Sequence, residues 1–275
     1  MTPDDFKQLP YARRQLVLFL DDELVKKVEE AAPENTDVQL ANFAFKATYK
    51  LNLSATTNAA LDAYIDARGR EVNVMLVPES WAGNFITLPP AHPRPSVLYA
   101  GHPATAQKYV PLFDFHRFLF EHKFAELVAI LMHLGATRIK VKRKAGWGRD
   151  LSAALNVGLP QVELAASATA ESHRGVNADL LYEAELDGTT SPELPPNLVW
   201  YPHEPTWQQV AEGRLRFGLK SFSFSLEYSD DYGVNLGLKA KVEKAGLDAG
   251  GAFHKHQATI WLFEGEFLPK AAIRS

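Results

Sequence analysis

Residues 214–267 settle into long period-two alternation with almost no helix-like stretch. Phe222, Phe224, Leu226 and Tyr228 take every second position, and Ser221, Ser223, Ser225 and Glu227 fill the gaps. After Asp230-Asp231, Val234, Leu236, Leu238, Ala240 and Val242 alternate with Asn235, Gly237, Lys239, Lys241 and Glu243. Successive side chains of an extended chain point to opposite faces, so the pattern predicts a β-ribbon with one apolar and one wet face. Such a ribbon builds a sheet core, a surface or a membrane-facing wall more naturally than a catalytic pocket.

The rest of the composition narrows the classes open to such a chain. Its 275 residues can bury a substantial core as one large domain or two modest ones. A formal charge of −4 argues against a generic nucleic-acid binder. There is no cysteine, which excludes disulfides, thiol catalysis and thiolate metal sites. The opening MTPDDFKQLPYARRQ has no apolar core of signal-peptide type, and the apolar stretch 124–134 is too short to cross a bilayer as a helix. The expectation is a cytoplasmic, initially soluble protein.

Along the chain, residues 15–20 read as a short apolar strand followed by an acid-led helix over 24–32. Alternating Phe43, Phe45, Ala47, Tyr49 and Leu51 predict a strand over 43–53, and 56–67 reads as a helix with Leu61, Tyr64 and Ile65 on one side. A further strand is expected over 72–77. The proline-rich stretch 78–111 reads as a long irregular connection. Asp114 then opens the clearest helix, which runs towards Leu134 and stops at Gly135; its apolar residues lie on nearly every face of the second half, as in a central, buried helix. Strands are expected over 137–142, 161–168 and 178–186. Thr206 and Gln209 look like a capping box for a short helix over 206–215. These elements predict an α+β fold with a mixed to mainly antiparallel sheet, a long C-terminal β-ribbon and a central buried helix. The chain reads as a single domain, 1–275, with a subdivision into 1–110 and 111–275 open at the proline-rich loop.

The strongest charge signal is Arg138, Lys140, Lys142, Arg143, Lys144 and Arg149. In a strand Arg138, Lys140 and Lys142 share one face and Ile139 and Val141 the other, with Trp147 beside them between two glycines. Basic residues with an interfacial tryptophan suit anionic headgroups or phosphates, at about 1 kcal/mol per cation near a membrane surface. A solvated strand face with lysine-protected edges uses the same residues. Asp21-Asp22 at a strand end could recruit a metal with Glu79, but helix capping explains the pair. His254 and His256, and His116 with Glu121 and His122, lack the further ligands and the shared face that a metal site needs. The segment 200–207, WYPHEPTW, either lines a ligand groove or anchors a connecting helix onto a sheet. No nucleophile motif, phosphate loop or dinucleotide fingerprint is present. No metal or other cofactor is expected.

The chain length, the early helices with a central sheet and the alternating arms 214–228 and 232–244 resemble bacterial gasdermin-type pore formers over about half the chain. The resemblance implies a cytosolic protein that acts at the inner membrane in a defence system with a protease. Those proteins usually carry a lipidated cysteine near the N-terminus, which this chain lacks, and no residue role is carried over. The expected function is a non-enzymatic effector at a membrane surface, membrane-associated after activation and pore-forming through amphipathic β-hairpins. Arg138, Lys140, Lys142, Arg143, Lys144 and Trp147 would meet the lipid or phosphate. Phe222, Phe224, Leu226, Tyr228, Val234, Leu236 and Leu238 would form the inserting ribbon. An anionic lipid surface, a protein partner or a homo-oligomer are the expected partners, and no nucleic acid. A soluble protein-binding module or subunit of a larger complex is the alternative. An enzyme with a distributed site, drawing on Asp21, Asp22, His116 or His203, is the second.

Overall fold

A five-residue run in which every side chain is apolar, Leu16–Leu20, organises the first half of the protein. A computed structural model describes residues 2–31, 54, 57–58, 61–62, 64–65, 73–94, 97–146, 180–228 and 258–269. These residues form two compact units, divided between Phe118 and Leu119, with 258–269 belonging to the second.

In the first unit Leu16–Leu20 is strand β1, buried at all five positions. A strand covered on both faces must be apolar throughout, which is why it shows no alternation. Helix α1 (Pro3–Gln8) precedes it, started by a capping box between Thr2 and Asp5. Helix α2 (Asp22–Ala31) follows, with the Asp21 carboxylate accepting the N–H groups of Glu23 (3.0 Å) and Leu24 (3.3 Å). Residues 57, 58, 61, 62, 64 and 65 are helical, with Leu61 and Ile65 buried. Strand β2 (Val74–Pro78) lies parallel to β1, and β3 (Leu98–Gly101) and β4 (Tyr109–Pro111) extend the sheet antiparallel, in the order β2-β1-β3-β4. The expectation of an irregular stretch over 78–111 is corrected by these two short strands. Three and four residues are too few to show a period. Val17, Phe19, Val77, Tyr99 and Tyr109 pack with Phe6, Trp81 and Ile86 as the core.

The second unit is built on α3 (Phe115–His133) from Leu119 onward; the helix has nineteen residues and ends before Gly135 at φ 82°. Its sheet has the order β6-β5-β8-β7 and is wholly antiparallel: β5 is Ala136–Ala145, β6 Leu180–Glu185, β7 Ser221–Tyr228 and β8 Thr259–Phe267. Ile139, Val141, Trp261, Phe263, Phe222, Leu226 and Tyr228 are buried on its inner face. Phe120 and Phe124 of α3 meet the Trp261 ring edge-to-face at centroid distances of 4.6 and 5.3 Å. Gly265 sits where the inner face is tightest, because a Cβ there would overlap both the Phe222 ring and the Arg138 carbonyl oxygen.

Helix α4 (Pro205–Phe217) leads into β7 through Gly218 at φ 68°. Two expectations are corrected here. Residues 214–217 belong to this helix, so the ribbon arm begins at Ser221 and not at 214. The helix also starts at Pro205, and the preceding Glu204 makes no capping bond. A proline at the first helical position needs no hydrogen-bond acceptor, which removes the need for the Thr206 cap. The α+β class, the mainly antiparallel pairing and the central buried helix are as the sequence predicts. The strands expected over 43–53 and 161–168 and the arm 232–244 lie outside the described residues.

Candidate functional site

The antiparallel sheet of the second unit has two unlike ends. At one end stand Ala136, Glu185, Ser221 and Phe267, joined into a dense mesh. The Leu268 N–H donates to the Gly135 carbonyl (2.9 Å), Phe267 N–H to Lys220 O (2.8 Å) and Leu186 N–H to Thr137 O (2.8 Å). Arg214, 2% exposed, binds three carbonyls there: Leu134 from Nε (2.9 Å), Leu268 from Nη2 (2.8 Å) and Leu219 from Nη1 (3.3 Å). Its guanidinium also lies 5.1 Å from the Phe267 ring. Burial holds this guanidinium below its ordinary value, while three of its N–H groups go to backbone carbonyls.

The other end carries Ala145, Leu180, Tyr228 and Thr259. Register places them together: Ala145 pairs with Ile260, Leu180 with Lys142 and Tyr228 with Thr259. The chain therefore leaves β5 and returns to β6, and leaves β7 and returns to β8, at one end. The two connections are 146–179 and 229–258. At the point of departure Gly146 adopts φ 77° against β8, where a Cβ would overlap Thr259 Oγ1.

The wet face of this sheet holds the basic residues singled out in the sequence. Arg138, Lys140 and Lys142 do share it, but β6 and β8 place carboxylates opposite them. The Arg138 guanidinium donates to Glu183 (2.7 Å), Lys140 lies 3.6 Å from the same carboxylate, and Lys142 is 2.5 Å from Glu264. Hydrogen bonding from Arg138 holds the Glu183 carboxyl below the usual range, and Lys142 does the same for Glu264. Arg143 and Lys144, nearest the departing connections, are exposed. The cationic stripe is thus the middle of a cross-strand ion-pair network, with Ser221, Ser223 and Ser225 exposed along β7. Trp147 lies outside the described residues.

The apolar ribbon residues divide likewise. Phe222, Leu226 and Tyr228 are buried, and Phe224 stacks on Phe263 at 5.9 Å. Tyr228 meets Phe120 edge-to-face at 5.8 Å. In this state β7 is a core strand. Val234, Leu236 and Leu238 lie outside the described residues.

One cluster escaped the sequence reading. In the apolar helix α3 the side chain of Lys123 is fully buried, its ammonium paired with Glu204 and 5.7 and 5.8 Å from the rings of Trp200 and Trp207. Burial lowers the Lys123 value from 10.5 to about 8 against the opposing pull of Glu204. One turn on, the Glu126 carboxylate accepts the N–H groups of Val199 (2.9 Å), Trp200 (2.8 Å) and Tyr201 (2.8 Å). His122 Nδ1 accepts from the Trp200 indole at 3.1 Å. A lysine and a glutamate three apart inside an apolar run were the available signal. The segment 199–207 thus anchors a helix to α3.

The residues considered for catalysis are engaged structurally or exposed. Asp21 caps α2, Asp22 accepts the Ser80 N–H (3.1 Å), His116 is buried and His203 is exposed in a single turn, Tyr201–His203. Among the described residues no three carboxylates or histidines group to hold a metal, and no helix is long and apolar enough to cross a membrane. No family model, curated protein or solved structure matches the chain.

Proposed function

We propose that the protein is a non-enzymatic effector that passes from a soluble state to a membrane surface and acts there through amphipathic β-hairpins. The observation that carries this reading is the departure of both long connections from one end of a single antiparallel sheet. Antiparallel neighbours are ordinarily joined by two to five residues, and connections beyond about 12–15 residues usually serve a function. Each connection is longer than the two strands and turn of one spanning hairpin require. About 9–11 tilted residues suffice for a hydrocarbon core about 30 Å thick.

The alternation of Val234, Leu236 and Leu238 with Asn235 and Gly237 lies within one connection, and Trp147 opens the other. Strand β7, with its buried aromatics, then serves as the base of the ribbon and stays in the core. Arg143 and Lys144 are exposed at the departing end, where they would make the first contact with an anionic surface. An open sheet edge is not tolerated in hydrocarbon, so insertion requires several copies to close a barrel.

The absence of cysteine makes the test direct. Single cysteines at 234–238 are labelled with an environment-sensitive dye and the protein is added to dye-loaded vesicles of phosphatidylglycerol and phosphatidylethanolamine. The expected result is leakage with a period-two emission change, strong at Val234, Leu236 and Leu238 and weak at Asn235 and Gly237. No leakage and a uniform response would overturn the reading. A soluble binding module draws support from Phe217, 80% exposed at the end of α4; it predicts a stable protein complex and indifference to lipid.

A further inference from the structure

We propose that the protein forms a two-fold dimer in which the free edge of β7 pairs antiparallel with β7 of a second copy, the axis passing at Phe224. The first ground is which backbone groups that edge presents. β7 is the last strand in the order β6-β5-β8-β7, and among the described residues its strand partner is β8 alone. The Phe267 N–H donates to the Lys220 carbonyl (2.8 Å), one step before Ser221 pairs with Glu266, so Lys220 and Phe267 take a hydrogen-bonded position of the ladder. Such positions alternate along antiparallel strands, and the register of β7 with β8 runs without a shift. Phe222, Phe224, Leu226 and Tyr228 therefore direct their N–H and C=O groups at β8. Those of Ser221, Ser223, Ser225 and Glu227 point the other way, to the free edge.

The second ground is that this edge is complementary to itself. One register of self-pairing matches the two faces and puts all these outward residues in hydrogen-bonded positions. It sets Ser221 opposite the partner's Glu227, Ser223 opposite the partner's Ser225, and Phe224 opposite its own copy on the axis. Glu227, the one charged side chain on the wet face of β7, then meets a serine and lies next to the partner's Lys220, which is exposed. The register follows from backbone groups alone, yet it also covers an apolar gap. Phe222, Leu226 and Tyr228 are at most 6% exposed, whereas Phe224 is only half-buried, resting on Phe263.

The third ground is the contrast between the two edges of the sheet. Charges, prolines and bulges are the ordinary defences of an exposed edge. β6 has six residues with Glu183 and Glu185 among them, and its ladder with β5 shifts register between Val141 and Lys142. Self-pairing about Ala184 would set Glu183 against the partner's Glu185. β7 has eight residues with no proline, no lysine and no shift of register, and its wet face is mostly serine.

Sedimentation equilibrium of the full chain, without lipid, reads the assembly independently of the membrane reading. Wild type is expected to be a dimer that dissociates on dilution. Ser223→Pro removes an N–H that β8 does not use, so it should weaken dimerisation at least tenfold with an unchanged circular dichroism spectrum. The register has its own test. Ser223→Lys brings two like charges near the axis and should weaken the dimer as strongly. Ser223→Lys/Ser225→Glu sets each ammonium opposite a carboxylate of the other copy and should restore association to within a few-fold of wild type. A wild type that stays monomeric at every concentration, or a dimer indifferent to Ser223→Pro, would overturn the proposal; the edge would then be closed from within the chain or kept for another protein. If Ser223→Pro does not fold, the charge pair decides, and a double variant no tighter than Ser223→Lys alone would overturn the pairing.

Discussion

Replacing Lys123 by methionine and Glu204 by glutamine, so that the buried pair is removed whole, should make the second unit more stable. The Lys123 side chain has no exposure to solvent, and its value falls from 10.5 to about 8 although a glutamate contacts it directly. Desolvation therefore outweighs the attraction. At about 1.36 kcal/mol per pH unit, the charged form is held at a cost of about 3 kcal/mol relative to a lysine in water. Methionine keeps the unbranched stem between the Trp200 and Trp207 rings and removes the charge, while the amide introduced by Glu204→Gln would keep its contact with solvent. The cation–π contribution is lost, so the expected net gain is about 1–2 kcal/mol, read as a higher urea midpoint at unchanged slope. The pH dependence gives a second reading. The folded lysine has the lower value, so the unfolded chain binds more protons between pH 8 and 10.5, and wild-type stability should rise with pH across that window. Tyr11, pushed up to about 12 by burial, acts in the opposite sense above about pH 10, so the measurement belongs between about pH 7.5 and 9.5. The rise should vanish in the double variant. A destabilised double variant, or a wild-type profile that is flat or falls, would show that the ion pair stabilises on balance and would refute the reasoning.

Gly265→Ala should destabilise by about 3 kcal/mol, because its Cβ overlaps both the Arg138 carbonyl and the Phe222 ring; thermal unfolding measures it, and a change under about 1 kcal/mol would show that the sheet can yield there. Glu183→Gln with Glu264→Gln should free the cationic stripe and strengthen sedimentation with phosphatidylglycerol vesicles several-fold at low salt, whereas unchanged binding would mean the wet face does not meet lipid. His92 should titrate below 6.5 by NMR, since burial and Arg94 disfavour its charged form and the Tyr99 hydroxyl, already accepting from the Arg94 N–H, gives its proton to the ring. Its folded value is the lower one, so this contribution to stability is complete above pH 6.5 and is lost as the pH falls below it; a value at or above 6.5 would refute the assigned hydrogen bond.

What could be read from the residues alone follows from how locally each feature is encoded. The alternation Phe222 to Tyr228 needs only neighbours two apart to be recognised, and it became β7. The apolar run 16–20 and the helix ending at Gly135 are equally local. Strands β3 and β4 were hidden because a strand of three or four residues is defined by its partner, and no spacing announces that Tyr99 will pair with Pro111. The basic stripe was legible as one face of a strand, but its neutralisation was not. Glu183 and Glu264 lie far from Lys140 and Lys142 in sequence and meet them only through register. The acids did carry a trace, since Glu183 and Glu185, like Glu264 and Glu266, alternate in phase with the wet faces of their own strands.

Arg214, Lys123 and Glu126 show a different limit. Each is a charged residue in a helix where solvent exposure is the ordinary expectation. Arg214 shares a helical face with Trp207 and Ala211, and Lys123 and Glu126 interrupt an apolar run, so periodicity alone puts all three on the buried side. What periodicity cannot supply is the acceptor: three carbonyls at the meshed end of the sheet for Arg214, and a glutamate with two tryptophans for Lys123. These two sites divide the labour of the second unit. The carbonyl cradle fixes one end of the sheet through a cation that gives three hydrogen bonds to backbone carbonyls. The Lys123–Glu204 pair joins α3 to the residue that precedes α4, at a net electrostatic cost.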